Sequence, residues 1–554
     1  MPLASCGNIY RCASPLLLIE ITRAESRAAI GKLPVTAYAG KGGAMVCICK
    51  SKCLGASAIA VLFVVSASCA NRVHAGELAI YNLSSEDVEC SVDGYGATRE
   101  DGAHAFKIAP GQRLTIPPSL ERERPGIDFV DCGHGLRTRA MHVTPGGENR
   151  TLYLNGHQHR VLNVMLYPYL PTDPALGFDS LVKQLVQSYQ SKHNDVLLNL
   201  VIEPNSRYDP DRPVDPYDFK SLRDAVLGAS GFDVAEIDTV FLKYLVDNKS
   251  ISPVSVKGDE PFEFARQAAT IKGQLFGIPS WLCSDFIFSS VKTLQNVETF
   301  TQLTSLLGVR EARPTIAADI DGKWTVAATY IQAYTQMRQP ADPVEAMTSA
   351  IDREVVARMV KVASFCEEGG SFPCVDGTFH NARDGAVEKA FDAWSISADI
   401  GFSERSFYIQ LFQTSPRKLY LSSFPWSDKA GATRLIYSDA FVANASTCAT
   451  APCLDDAVEF GAFMTSVATK KQIVFSQDLP AGSPPRHLLP ASKSFYADED
   501  VKNDTLYQRV ATSLFNERGK PYPNSFTPEL QHAFLSALCP EIKKQMSTWS
   551  CKPP

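Results

Sequence analysis

The sequence predicts a two-lobed α/β protein preceded by a small all-β module. Three observations carry that reading. Residues 76–158 contain short apolar or alternating runs broken by Gly- and Pro-containing turns, as in a small β-sandwich. Over residues 159–554, short apolar runs alternate with stretches of helical periodicity, the pattern of an α/β domain with a mainly parallel sheet. The chain has 554 residues, too many for one compact core.

Residues 1–75 read as a targeting region. Lys50 and Lys52 precede an apolar run from Leu54 to Val65, followed by small residues and Val73-His74-Ala75. That order is a positive segment, an apolar core and an A-x-A-like cleavage site. Initiation at Met45 would give the signal an ordinary length and leave 1–44 as an upstream extension. A lipid-modified Cys69 is the alternative, but Ser66-Ala67-Ser68 lacks the aliphatic residue expected before such a cysteine. Cleavage near Ala75 and a secreted or periplasmic location are expected. The body of the chain has no apolar run long enough for a clear spanning helix, so no membrane contact is expected after cleavage. The net charge of −6 is mild, and no basic stripe points to nucleic acid.

In the β module, strands are expected at Leu78–Tyr81, Ala105–Ile108, Arg113–Ile116, Ile127–Val130 and Thr151–Leu154. Pro110-Gly111 and Pro145-Gly146-Gly147 supply turns. The module carries no recognisable chemistry and suits a binding or spacer role.

The α/β part opens with a strand at Val161–Met165 that ends at Tyr167-Pro168-Tyr169. Phe178, Leu181, Val182, Leu185, Val186 and Tyr189 then recur at helical spacing. A strand at Val196–Ile202, a helix near 218–227 and a strand at Phe232–Ile237 bring the chain to Asp238. A helix near Phe262–Ala269 and a strand at Leu275–Ile278 lead into Gly277–Phe286, GIPSWLCSDF, where Gly277 and Pro279 mark a bend. Beyond it, Ser289–Leu307, Trp324–Met337, Val355–Phe365 and Ala386–Trp394 read as helices. Strands are expected at Ile396–Ile400, Leu419–Ser422 and Arg434–Tyr437. The last hundred residues read as mostly helical.

Ligands of open parallel sheets sit beyond the carboxyl ends of the strands. Tyr167, Tyr169, Asp238, Cys283, Glu404, Tyr437 and Asp439 each follow an expected strand. Tyr167 and Tyr169 point the same way in an extended segment and could form a stiff wall for a flat or cationic ligand; packing between the lobes is the plainer role. Asp238 and Asp439 could anchor a cationic ring or simply cap the helices after them. Glu404 could be a base for a thiol if burial raised its pKa, or a solvated residue paired with Arg405.

Nine cysteines follow residue 75, and eight fall into sequence-local pairs: 90/132, 366/374, 448/453 and 539/551. Local bridges of this kind suit an oxidising compartment. Cys283 is left over. On spacing alone, a reactive thiol and a small buried hydrophobe are equally good readings. No CxxC or clustered histidines accompany it, so no metal site is expected.

Four segments in order, Val164–Pro171 (VMLYPYLP), Phe232–Phe241 (FDVAEIDTVF), GIPSWLC and Ile436–Phe441 (IYSDAF), resemble the thiaminase I (thiamine pyridinylase) family over about residues 160–550. The resemblance implies a type II periplasmic-binding-protein-like fold and a cofactor-free base exchange on thiamine. A pyridine, amine or thiol would act as acceptor, and the protein would be a monomer. By the same resemblance Cys283 is the nucleophile and Glu404 its base. Tyr167, Tyr169, Asp238, Tyr437 and Asp439 would be the substrate contacts, with Tyr217, Asp376 and Phe379 near the cleft. Phe402 departs from the family, which has tyrosine two residues before the glutamate. A solute-binding protein for thiamine or a related pyrimidine, without catalysis, is the alternative. It would need neither Cys283 nor Glu404.

Overall fold

The computed structural model describes residues 37–39, 45–47, 78–92, 104–116, 127–132, 136–141, 150–166, 170–202, 217–308, 314–382, 385–393, 396–414, 418–514 and 519–552. The expected signal segment, and the pair Tyr167 and Tyr169, lie outside these residues. In the first compact unit, residues 1–72, Ala37–Ala39 pairs antiparallel with Met45–Cys47. No helix among the described residues is long and apolar enough to cross a membrane.

In the second unit, the β module forms two sheets. One has the order Arg113–Ile116, Leu78–Asn82, Arg150–Leu154; the other runs His104–Ile108, Val88–Val92, Ile127–Asp131, Arg137–Met141. The Cys90–Cys132 bridge lies in its core with Ile80, Ile108, Val130 and Leu152. The module shares its packing with the lobe that follows. Leu197 and Val161 complete its apolar cluster, whereas Tyr153 belongs to the larger core.

The first lobe is built on a sheet with the order Val196–Ile202, Arg160–Leu166, Val234–Asp238, Arg434–Asn444, Ile278–Cys283, Leu489–Pro490. Val196–Ile202, VLLNLVI, is buried at every position, as expected of a parallel strand covered on both faces. The expected parallel sheet holds for the first three strands only. Arg434–Asn444 runs antiparallel to both Val234–Asp238 and Ile278–Cys283. The cause is the chain path: this strand enters from the second lobe and therefore arrives in the opposite sense.

The second lobe carries a sheet with the order Ile316–Ala318, Ala398–Gly401, Phe286–Ser289, Tyr420–Ser423. The chain crosses between lobes at Ser284-Asp285 and again between Ser423 and Arg434. The two crossings are tied together by the Phe424 amide, which donates to the Asp285 carbonyl at 3.0 Å. The helix expected at Ser289–Leu307 is a correction. Phe286–Ser289 is a strand, Lys292–Asn296 a 3-10 turn, and the helix is confined to Phe300–Leu307 behind a Thr299–Gln302 capping box.

All four expected cysteine pairs are bridged, and Cys283 is the free cysteine among the described residues. Of the Asn-x-Ser/Thr sites, Asn82 and Asn444 are fully buried. Their side-chain amides donate to main-chain carbonyls, so neither can carry a glycan in the folded protein.

Candidate active site at the lobe crossing

Cys283 is the last residue of the strand Ile278–Cys283, at the point where the chain leaves one sheet for the other. The bend expected there is a β-bulge. The strand's pairing with Arg434–Asn444 shifts register between Pro279 and Leu282. Pro279 cannot donate to a ladder, and a bulge is where a strand tolerates it. Gly277 serves close approach, because a Cβ there would stand 2.7 Å from the Ala440 Cβ. The bulge re-aims Trp281, Leu282 and Cys283 relative to the strand they leave.

Backbone register brings the candidate residues into one row. Cys283 is opposite Tyr437, and Asp439 is opposite Asp238. Directly opposed residues of antiparallel strands project to the same face. Tyr437 and Asp439 are therefore inside a strand, which corrects both the expectation that they follow one and the helix-capping role considered for Asp439. Asp238 does end its strand and does cap the next turn. Its Oδ1 accepts from the Val240 amide at 2.9 Å.

Glu404 comes from the second lobe. It follows the strand Ala398–Gly401, sits at the N-terminus of the helix Arg405–Phe412 and is half-buried. Arg405 is engaged by Glu388, whose Oε1 accepts from Nη1 at 2.8 Å. A Cβ at Gly401 would meet the Arg405 Nε at 2.1 Å, so glycine there lets the guanidinium cross the strand end. Phe402 stands edge-on to Tyr437 with ring centroids 5.6 Å apart. It thus borders the row without supplying a hydroxyl.

The electrostatics are those of an acidic cluster. Cys283 is only 9 % exposed. Burial, then the carboxylates of Asp439, Glu404, Asp238 and Asp285, push its thiol well above the ordinary value, so at neutral pH it is held as a thiol. Burial also pushes Asp238 up to about 7 and Asp285 up to about 6. Acids raised in this way stabilise the fold fully below their ordinary value of 3.8, and that contribution is lost as pH rises through about 6 to 7. We expect the melting temperature of the ligand-free protein to fall between pH 5 and pH 8. Asp238→Asn is expected to reduce that fall by a few degrees; an unchanged difference in thermal melts would remove Asp238 as its source.

Alkylation of the unreduced native protein, followed by peptide mapping, is expected to label Cys283 and none of the eight bridged cysteines. The reaction should be slow at pH 7 because the thiol is neutral. Recovery of Cys283 in a disulfide would remove it as a candidate nucleophile.

Of the other expected cleft residues, Asp376 is occupied in its own loop, accepting from the Phe372 and Thr378 amides. The Tyr217 carbonyl accepts from the Trp324 indole at 2.8 Å, and Phe379 is buried. Three neighbours escaped sequence reasoning. Asp285 lies two residues after Cys283 and was legible in Cys-Ser-Asp-Phe. Tyr522 stacks on Tyr437 at 4.3 Å but comes from the distant segment Gly519–Pro521 and beyond, with no local signal.

The third is Lys470. It is fully buried, and its Nζ stands 3.1 Å from the centre of the Trp281 ring. A desolvated cation–π contact is worth roughly 2 kcal/mol, less than the several kcal/mol it costs to bury an ammonium group. The charges of Glu236 and Asp439 supply further attraction, while burial pulls the lysine down to about 7. Among the described residues no group of His, Cys, Asp and Glu could hold a metal ion.

No family model matches the chain. It is 24 % identical to Thiaminase-1 of Paenibacillus thiaminolyticus over 392 residues, covering 67 % of this chain and 84 % of that protein. Among solved structures it is similar to Clostridium botulinum thiaminase I in complex with thiamin. That match has a TM-score of 0.53 and 20 % identity, covering 70 % of this chain and 100 % of the other. It is also similar to a solute-binding protein of an ABC transporter from Thermotoga lettingae bound with tagatose. Here the TM-score is 0.53 and the identity 12 %, over 71 % of this chain and 95 % of that one. The two-lobed binding-protein fold is common to both.

Proposed function

We propose that this chain, similar in sequence and fold to thiaminase I, is a thiamine-degrading transferase that exchanges the thiazole of thiamine for another base. The observation that supports it best is the site's composition. A free, buried thiol at the lobe crossing stands within electrostatic reach of the carboxylates of Asp439, Glu404, Asp238 and Asp285. An acidic cluster attracts a cationic heterocycle, and thiamine carries a fixed positive charge.

In this reading Glu404 takes the thiol proton and the Cys283 sulfur adds to the pyrimidine carbon next to a ring nitrogen. The ring receives the electron pair. That pair then expels the thiazole from the methylene as a neutral base. A pyridine, amine or thiol adds to the exposed methylene, the electron pair returns, and the carbon–sulfur bond breaks to restore the aromatic ring. Asp238 and Asp439 hold the aminopyrimidine and favour its protonated form. Tyr437 and Tyr522, stacked on each other, would supply an aromatic surface to the substrate; Tyr167 and Tyr169 are assigned substrate contact by the sequence resemblance alone. Covalent catalysis divides one difficult displacement into two easier steps.

The arriving cation also reverses the field that keeps Cys283 protonated, so substrate binding itself would activate the nucleophile. Export is part of the proposal, supported by four sequence-local disulfides. The test is incubation of purified protein with thiamine and a pyridine acceptor. Release of free thiazole with formation of the pyridinium adduct supports the transferase. Thiamine binding without turnover would instead indicate a solute-binding protein.

A further inference from the structure

The row of acids includes one more member, Glu236. On the strand Val234–Asp238 it alternates with Ile237 and so shares a face with Asp238. Its partner across the ladder is Phe441, two residues from Asp439 on that same face. This face is covered by the helix Ala451–Thr465, whose Phe460 meets Phe441 edge-on at 5.6 Å. The next helix, Val467–Val474, delivers Lys470. Its neighbour Lys471 turns outward to Asp498 and Asp500, while Lys470 is fully buried over Trp281. Trp281 lies two residues before Cys283.

We propose that Lys470 is a positioning residue of this site. Its ammonium group balances Glu236 and Asp439 and so holds Asp439 as an anion, ready to grip a cationic ring. The inference rests on the transferase reading for its catalytic consequence, but not for the coupling itself. The charged and titratable groups of the row are Glu236 and Asp238 from the strand beside Asp439, Cys283 from the other neighbour, Tyr437 on its own strand, Lys470 from the helix Val467–Val474, and Glu404 and Asp285, which act on Cys283. Lys470 is the cation in that set. Closely placed carboxylates cannot all remain ionised, and without the lysine one of them takes up a proton. A protonated Asp439 loses its charge-assisted hold on a cation.

The first experiment compares pH profiles of kcat/KM for thiamine. Lys470→Met is expected to move the acid limb up by about one pH unit, whereas Lys470→Arg keeps it in place. Adding Glu236→Gln to Lys470→Met, which removes one acid together with the cation, should return the limb toward wild type. A Lys470→Met protein with the wild-type acid limb would overturn the proposal, because a purely structural lysine lowers activity at every pH alike.

The second experiment needs neither turnover nor the methionine variant. Protonation of an amine over an indole changes its emission, so wild-type tryptophan fluorescence should report the Lys470 titration. Coupling is reciprocal: Asp439→Asn removes a charge that favours the ammonium form and must move that transition to lower pH. If the transition stays where it was, Lys470 and Asp439 are not coupled and the proposal fails. If wild type releases no thiazole while the transition shifts, the transferase reading has failed and the coupling stands.

Discussion

Replacing Cys283 with serine is expected to lower thiazole release by at least about a thousandfold. A hydroxyl of the same size fills the same space, but its oxygen is a far weaker acid and cannot be ionised by a carboxylate. Thiamine binding should survive, because the groups assigned to grip the ring lie on other strands. Glu404→Gln is expected to cost less, about a hundredfold in kcat, since a small thiolate fraction still forms without the base. Stopped assays on both variants, with product analysis for the pyridinium adduct, decide the matter. Full activity in Cys283→Ser would end the covalent reading. Equal, modest losses in both variants would point to a site that binds and does not react.

Asp439→Asn is expected to drive two readouts in opposite directions. Asp439 is the first of the carboxylates that keep the Cys283 thiol protonated, after burial itself. Removing its charge lowers the thiol pKa, so alkylation of Cys283 at pH 7 should become faster, by about tenfold for one pKa unit. The same change removes a charge-assisted contact to the substrate, and kcat/KM for thiamine should fall by about ten- to a hundredfold. Iodoacetamide rates and steady-state kinetics on one preparation test both. A fall in both rates together would mean that the variant disturbs the pocket and that Asp439 acts through structure alone.

The pairing of these effects gives the acidic row a physical purpose. A reactive thiol in an oxidising compartment is exposed to oxidation and mixed disulfides. Burial and four carboxylates keep Cys283 protonated; under the proposed function, an entering cation would reverse that field. The cost is borne by the fold as raised acids at Asp238 and Asp285, a common exchange of stability for function.

Much of this protein was determined by the sequence alone. Pairing by proximity identified the four disulfides and left Cys283 over, because short sequence separation makes a bridge local whatever the fold. Short continuous apolar runs identified the strands at Val196–Ile202 and Val234–Asp238, and a 3.6-residue period identified the helix Asp179–Gln190, whose burial on one face imposes that period directly. Phe286–Ser289 was missed and the far half of Arg434–Asn444 misread, because a short apolar run buried on both faces has no period to separate strand from helix.

What the tertiary structure decided is who meets whom. Register between strands roughly 150 to 200 residues apart in sequence set Asp439 opposite Asp238 and Tyr437 opposite Cys283. Tyr522 reached Tyr437 from near the other end of the chain, and Lys470, beside the outward-facing Lys471, was turned inward onto Trp281. Local sequence records the free energy of burying one face of one element. It does not record which distant strand will supply the neighbour, and at this site the neighbours set every charge.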